Sequence, residues 1–171
     1  MKSWRWNING IFCALALIAL LAGCQSSSKK EAKDATLMYF HLEATPDGNP
    51  KNQPVPVFRN NPQLVLINSN HFLSNADIVQ ASVVDVEGGF AIRVVFDRHG
   101  QLALENITAS QKGKRIVIYA AFPEIRWLAA PTITRRITDG AFVFTPDATR
   151  EESERIVDGL NKVAKKLKKQ I

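Results

Sequence analysis

The chain has 171 residues, with 22 lysines and arginines against 16 aspartates and glutamates, a formal net charge of +6 and two cysteines. That length suits one domain with a hydrophobic core of its own. The basic surplus is mild and is not gathered into a groove interleaved with aromatics, so composition gives no argument for nucleic acid as a partner.

The start of the chain reads as a leader. Lys2 and Arg5 form a basic start, Ile11 to Ala22 form a 12-residue apolar run, and Leu21-Ala22-Gly23-Cys24 places small residues ahead of a cysteine. This is the layout of a cleaved secretory signal. A run of 12 falls short of the about 20 apolar residues needed to cross a bilayer. The segment resembles the signal of bacterial lipoproteins. That resemblance implies cleavage between Gly23 and Cys24, a diacylated Cys24 thiol and an acylated new amine. Two or more chains, at about 0.8 kcal/mol per buried CH₂, hold a protein on a membrane where one would not. Gln25 after the cysteine resembles lipoproteins sent to the periplasmic face of the outer membrane. Residues 1–23 are therefore expected as signal peptide and 24–35 as lipidated cysteine and tether. Cleavage would remove Lys2, Arg5, Cys13, Trp4 and Trp6, leaving 148 residues with 20 basic and 16 acidic side chains, a net +4. Trp127 would be the sole tryptophan and Cys24 the sole cysteine, so no internal disulfide is available to the fold.

Residues 25–35 (QSSSKKEAKDA) lack apolar periodicity and read as a flexible tether with a reach of about 18 Å. Residues 36–43 (TLMYFHLE) predict a strand, and 45–56 (TPDGNPKNQPVP) a loop leading to a short strand at Val57-Phe58. Residues 36–62 are expected as an N-terminal extension. Residues 63–67 (QLVLI) predict a strand ended by a turn at Asn68 to Asn70, and Ser74 offers a cap to one helical turn. Ala81 to Val86 and Phe90 to Phe96, joined by Glu87-Gly88-Gly89, form the clearest hairpin. Gln101 to Ser110 predicts a short helix through Leu104, Ile107 and Thr108, closed by Gly113. Arg115 to Ala121 reads as a central strand that Pro123 breaks, followed by extended pieces at Ile125 to Leu128, Thr132 to Ile137 and Ala141 to Thr145.

The last element is a helix. Thr149-Arg150-Glu151-Glu152 is a capping box, and Ile156, Val157, Leu160, Val163, Ala164, Leu167 and Ile171 mark one face. Glu151, Glu152 and Glu154 at its start and Lys165, Lys166, Lys168 and Lys169 at its end suit the macrodipole. Strands interleaved with two helices, without a parallel βαβ run, give an α+β class: a mostly antiparallel sheet with two helices packed on one face.

Leu73-Ser74-Asn75-Ala76-Asp77-Ile78 with Ala81, then Ala91 to Asp97 with Gly100, Thr108, Gly113-Lys114 before Ile116 to Tyr119, Pro131-Thr132-Ile133, Asp139-Gly140 and the capped final helix stand in a fixed order. In that order the segment from Gln63 to Lys166 resembles the periplasmic head subdomain of SecD/SecDF, accessory subunits of bacterial protein export. Residues 63–171 are expected to form this head-like domain. The resemblance departs at Ala120-Ala121-Phe122-Pro123, where the family has an aspartate turn. The export subunits carry their head on a multi-helix, proton-conducting membrane domain, and this chain shows no such helices, so it is not expected to act as a proton-driven motor by itself. A shared fold alone is a weak warrant for a shared role.

No catalytic or cofactor pattern emerges. His41, His71 and His99 lack metal-ligand spacing, there is no G-x-S-x-G elbow, and Gly88-Gly89 lacks the spacing that cradles phosphate. The expectation is a non-catalytic domain with no metal and no cofactor. Arg126-Trp127 and the nearby Arg135-Arg136 form a candidate binding surface, because tryptophan and arginine concentrate at binding hot spots. The function expected is a lipid-anchored envelope protein that binds polypeptide or an envelope protein, in part by strand addition at sheet edges. A self-assembling structural lipoprotein and an enzyme of unrecognised type are the alternatives, and the sequence leaves the oligomeric state open.

Overall fold

A computed structural model describes residues 35–121 and 124–169. Gly23, Cys24 and the rest of residues 1–34, over which a signal peptide and tether are expected, lie outside the described residues, as do Phe122, Pro123 and Ile171. Within the described part the fold is α+β, with two antiparallel sheets and two helices.

The larger sheet has the order β2-β3-β1-β6-β7, formed by β1 (Leu37–Glu43), β2 (Asn52–Val57), β3 (Gln63–Ser74), β6 (Ile116–Ala121) and β7 (Ile125–Ala129). The smaller has the order β4-β5-β8, formed by β4 (Ile78–Val86), β5 (Gly89–Phe96) and β8 (Ala141–Phe144). α1 spans Arg98–Ser110 and α2 spans Arg150–Lys168. Strand alternation builds the main core. Met38 and Phe40 of β1, with Ile116 and Ile118 of β6, meet Ile92, Val94, Phe142 and Phe144 of the smaller sheet, together with Leu104 of α1 and Ile156 and Leu160 of α2. Both helices therefore pack on the face of the larger sheet that turns toward the smaller one. Burying a side chain such as Leu160, which has no exposed surface, is worth about 1.5–3 kcal/mol.

The other face of the larger sheet carries a second cluster, Val55, Val57, Val65, Ile67 and Val117, against which Trp127 and Ala130 pack. The sheet rolls far enough to bring its edge strands β2 and β7 into contact, and this closes the cluster.

Three local expectations are corrected. The loop expected over 45–56 contains β2, and the strand ends at Val57 instead of starting there. Pro54 and Pro56 are tolerated because β2 is an edge strand, and Phe58, at φ 72°, turns the chain out of the sheet. The turn expected at Asn68 to Asn70 lies inside the 12-residue β3. His41 pairs with His71 and Glu43 with Ile67, so β3 carries two more residues than β1 over that stretch. The Asn-Ser-Asn chemistry acts locally, with Asn70 N–H donating to Asn68 Oδ1 at 2.9 Å, but it makes a bulge rather than a reversal. Thr132 to Ile137 forms no strand beyond an isolated bridge from Arg115 to Thr132, because Ile133 spends its N–H and C=O on Lys114 and Gly113.

The helix starts follow their caps. Ser74 and Asp77 make a reciprocal capping box over the single 3₁₀ turn Asn75–Asp77. Asp97 caps α1 by accepting from Gly100 N–H at 2.8 Å, which starts the helix before the expected Gln101. Thr149 accepts from Glu152 N–H at 3.2 Å, but the Glu152 carboxylate turns to two arginines elsewhere in the fold.

Candidate functional site

Arg126 and Trp127 are neighbours on β7 and so point to opposite faces of the larger sheet. Arg126 faces the first turn of α2. Its Nη2 donates to Glu152 Oε1, its Nη1 donates to the Asp147 carbonyl oxygen, and Asp147 Oδ2 lies 3.5 Å away. The same acids hold Arg59 at the end of β2: Nη2 donates to Glu152 Oε2 at 3.0 Å, and the Arg59 N–H donates to Asp147 Oδ2 at 2.7 Å. This ion-pair network ties β2, β7 and α2 together. Burial of Glu152 would raise its pKa, but the facing Arg126 and Arg59 prevail and hold it below the ordinary carboxylate value. With its side chain 12% exposed, Arg126 is a strut of the fold.

Trp127 stands on the other face among aromatics. Its ring meets Tyr119 at 5.1 Å and His41 at 5.3 Å, both edge-on, and Tyr39 lies 4.8 Å from His71 and 6.1 Å from Tyr119. Pairing produces this group: Tyr39 lies opposite Tyr119, His41 opposite both Val117 and His71, and Trp127 opposite Tyr119. His41 is buried, Tyr39, Tyr119 and Trp127 are half-buried, and His71 is exposed. His41 Nδ1–H donates to the Asn68 carbonyl oxygen at 3.0 Å, and burial lowers its pKa despite that bond, with His71 adding to the shift. The result is an aromatic surface with one side in the second cluster and the other toward solvent. Single-residue pattern reading reached Trp127 but not its companions, whose only sequence signal is alternation in TLMYFHLE and IVIYAA.

Arg135 and Arg136 sit in the segment between β7 and β8. Arg136 pairs with Glu105 of α1. Arg135 lines a groove beside β8 together with Arg93 of β5. The four residues of the candidate surface thus divide between an ion-pair network, an aromatic face, a helix contact and a groove.

His99, Asp77 and Asp97 offer ligand atoms within 4.8 Å of one another. Each has a structural use: Asp77 Oδ2 accepts from Ser74 N–H, Asp77 Oδ1 holds His99 Nδ1 at 2.8 Å, and Asp97 caps α1. No helix among the described residues is long and apolar enough to cross a membrane.

The family model of the SecDF P1 head subdomain matches residues 52–162. The chain belongs to that family. The match starts upstream of Gln63 and so takes β2 into the SecDF P1 head pattern. SecDF solved as a membrane component that enhances protein export is similar over 81% of this chain and 67% of that chain, with a TM-score of 0.56 and 18% identity. SecDF in its super-membrane-facing form is similar over 82% of this chain at TM-score 0.55 and 18% identity. This chain spans 21% of that second protein, and at such identity the likeness is one of fold. A comparison with curated protein sequences finds no match.

Proposed function

We propose that this chain is a lipid-anchored envelope protein whose SecDF P1 head domain binds extended polypeptide, free or as part of an envelope protein, and catalyses no reaction. The observation that carries the reading is the half-exposed aromatic face of Tyr39, His71, Tyr119 and Trp127, set on a domain of the SecDF P1 head family. Aromatic rings bury large apolar area at low entropic cost and accept many side chains, which suits a binder of varied sequences. SecDF, which this fold is similar to, is described as enhancing protein export. The anchor rests on the Leu21-Ala22-Gly23-Cys24 pattern, and the short tether keeps the domain close to its membrane.

Two experiments test the reading. Cys24→Ser should release the protein or leave an uncleaved precursor, and a correctly processed Cys24→Ser protein that stays on the membrane would refute the anchor. An unfolded, uncharged peptide should bind with an affinity that survives high salt, and it should shift the emission of Trp127 in the mature protein. Peptide anisotropy should show weaker binding to Trp127→Ala. Binding that vanishes at high salt and ignores Trp127→Ala would refute the aromatic face.

A further inference from the structure

The smaller sheet has two edges, and α2 lies against one of them, β4. On β4 the outward main chain of Ala81 is taken by Asn161 of α2. On β8, Gly140 C=O accepts from Phe96 N–H at 2.9 Å, so residues 140, 142 and 144 turn their main-chain groups to β5, and 141 and 143 turn theirs outward. Ala141 N–H is taken by Asp139 Oδ1 at 3.2 Å. Val143 N–H and C=O have no partner among the described residues, and the Val143 side chain is 46% exposed.

A groove of about 210 Å³ runs along this edge, lined among others by Arg93, Thr132, Thr134, Arg135, Asp139 and Val143. Its far wall cannot close it, because Ile133 has committed its N–H to Lys114 and its C=O to Gly113. Arg93 lies directly across from Val143 in register and therefore shares its face of the sheet. Arg93 and Arg135 are both exposed, and their side chains make no hydrogen bond or ion pair among the described residues. The one carboxylate of the groove, Asp139, is occupied with Ala141 N–H. Arg59, Arg115, Arg126, Arg136 and Arg150 each hold an acid, whereas the Arg93 and Arg135 side chains line this groove without one.

We propose that this groove takes an acidic, extended segment of polypeptide, added as a fourth strand beside β8, with its main chain on Val143 and its carboxylates on Arg93 and Arg135. Strand addition supplies sequence-independent affinity through main-chain hydrogen bonds, and the two arginines select for acid at the alternate positions that face them. The inference rests on the polypeptide-binding reading and gives it a second contact, separate from the aromatic face. An anionic lipid headgroup would satisfy the arginines but would leave the strand edge of Val143 unused, so the edge favours peptide.

The test uses the full chain in a neutral detergent and two fluorescein-labelled unstructured peptides, one alternating valine with glutamate and its twin with glutamine in place of glutamate. The glutamate peptide should bind about fivefold more tightly. That advantage should shrink from about 0.1 M to about 1 M salt, as the Debye length falls from about 10 Å to about 3 Å. In Arg93→Gln/Arg135→Gln the two peptides should bind alike, with the glutamine twin unchanged from wild type; both positions are exposed, so the fold should persist. Hydrogen exchange at the Val143 amide should slow when the glutamate peptide binds. Equal wild-type binding of the twins, or an unchanged Val143 amide, overturns this inference and leaves polypeptide binding intact. Failure of both peptides to bind overturns polypeptide binding and this site with it. Phosphatidylglycerol vesicles that bind through Arg93 and Arg135 while the glutamate peptide does not would assign the groove to lipid and overturn the proposal.

Discussion

Asn161 closes the main chain of Ala81 from both sides: its Nδ2 donates to Ala81 C=O at 2.9 Å and its Oδ1 accepts from Ala81 N–H at 2.9 Å. One side-chain amide on α2 thereby stands in for a neighbouring strand at the edge of β4, just past the bulge between Ile78 and Gln80. Asn161→Leu should orphan both groups and cost about 1–3 kcal/mol in urea unfolding. Asn161→Asp, which keeps the acceptor but sets oxygen against the Ala81 carbonyl, should be no milder. Unfolding midpoints equal to wild type in both variants would show that water replaces the amide without loss.

Gly100 lies in the first turn of α1, where replacing glycine by alanine would ordinarily help by about 1 kcal/mol through helix propensity. Here an added Cβ would stand 2.8 Å from Phe96 Cβ and 3.0 Å from Asp77 Cβ, neither at the end of a flexible chain. Gly100→Ala should therefore destabilise by about 1–3 kcal/mol, the cost of overpacking. A stabilised variant in thermal unfolding would mean that α1 shifts freely against the 3₁₀ turn.

Leu160 joins α2 to the main core and has no exposed surface. Leu160→Ala should cost about 2–5 kcal/mol. Calorimetry showing a change within error would mean that the sheets hold together without the helix.

The sequence made legible what local chemistry decides. The β4-β5 hairpin follows from alternation around Gly88 and Gly89, and α2 follows from its cap, its apolar stripe and its end charges. The two-sheet division was not legible, because it depends on which strands find each other across many intervening residues. β2 was hidden by Pro54 and Pro56, which forbid a central strand but not an edge one. Glu152 reads as half of a capping box, yet Arg59 from the turn after β2 and Arg126 from β7 outcompete the local N–H for its carboxylate. The aromatic face needed the pairing of Tyr39 with Tyr119 and His41 with His71, and the groove needed Arg93 and Arg135 to meet across separate segments. In each case the residue types were visible and the register that joins them was not.

Two histidines should pull the pH dependence of stability in opposite directions. His41 has a pKa below its ordinary 6.5, through burial above all, so the folded state resists its protonation and stability falls as the pH drops through 6.5. His99 has a pKa above 6.5, through its hydrogen bond to Asp77, so its contribution is full below 6.5 and fades as the pH rises through the higher folded value. Relative to wild type, His41→Gln should lose less stability on going from about pH 7 to about pH 5, and His99→Gln should lose more. Urea midpoints across that range read both. Parallel curves for all three proteins would remove both histidines from the account.

The Arg126–Glu152 pair is the buried end of the network that joins β2, β7 and α2. Glu152→Gln would leave Arg126 with Asp147 and the exposed Glu124, at 3.5 Å and 3.9 Å, in a place where its guanidinium has little water to fall back on. Breaking a fully buried pair costs about 3–5 kcal/mol, but Asp147 remains and Arg59 is partly exposed, so about 1–3 kcal/mol is expected at neutral pH. The two arginines hold the Glu152 pKa below its ordinary 4.5, so the carboxylate stabilises the fold above that value and loses its effect as the pH falls through the lower folded one. The gap between wild type and Glu152→Gln should therefore be widest near neutrality and close on acidification. A double-mutant cycle with Arg126→Met should show a coupling of about 0.5–3 kcal/mol at neutral pH that shrinks in acid. A coupling near zero at neutral pH would mean that Glu152 serves α2 only as a residue of its first turn.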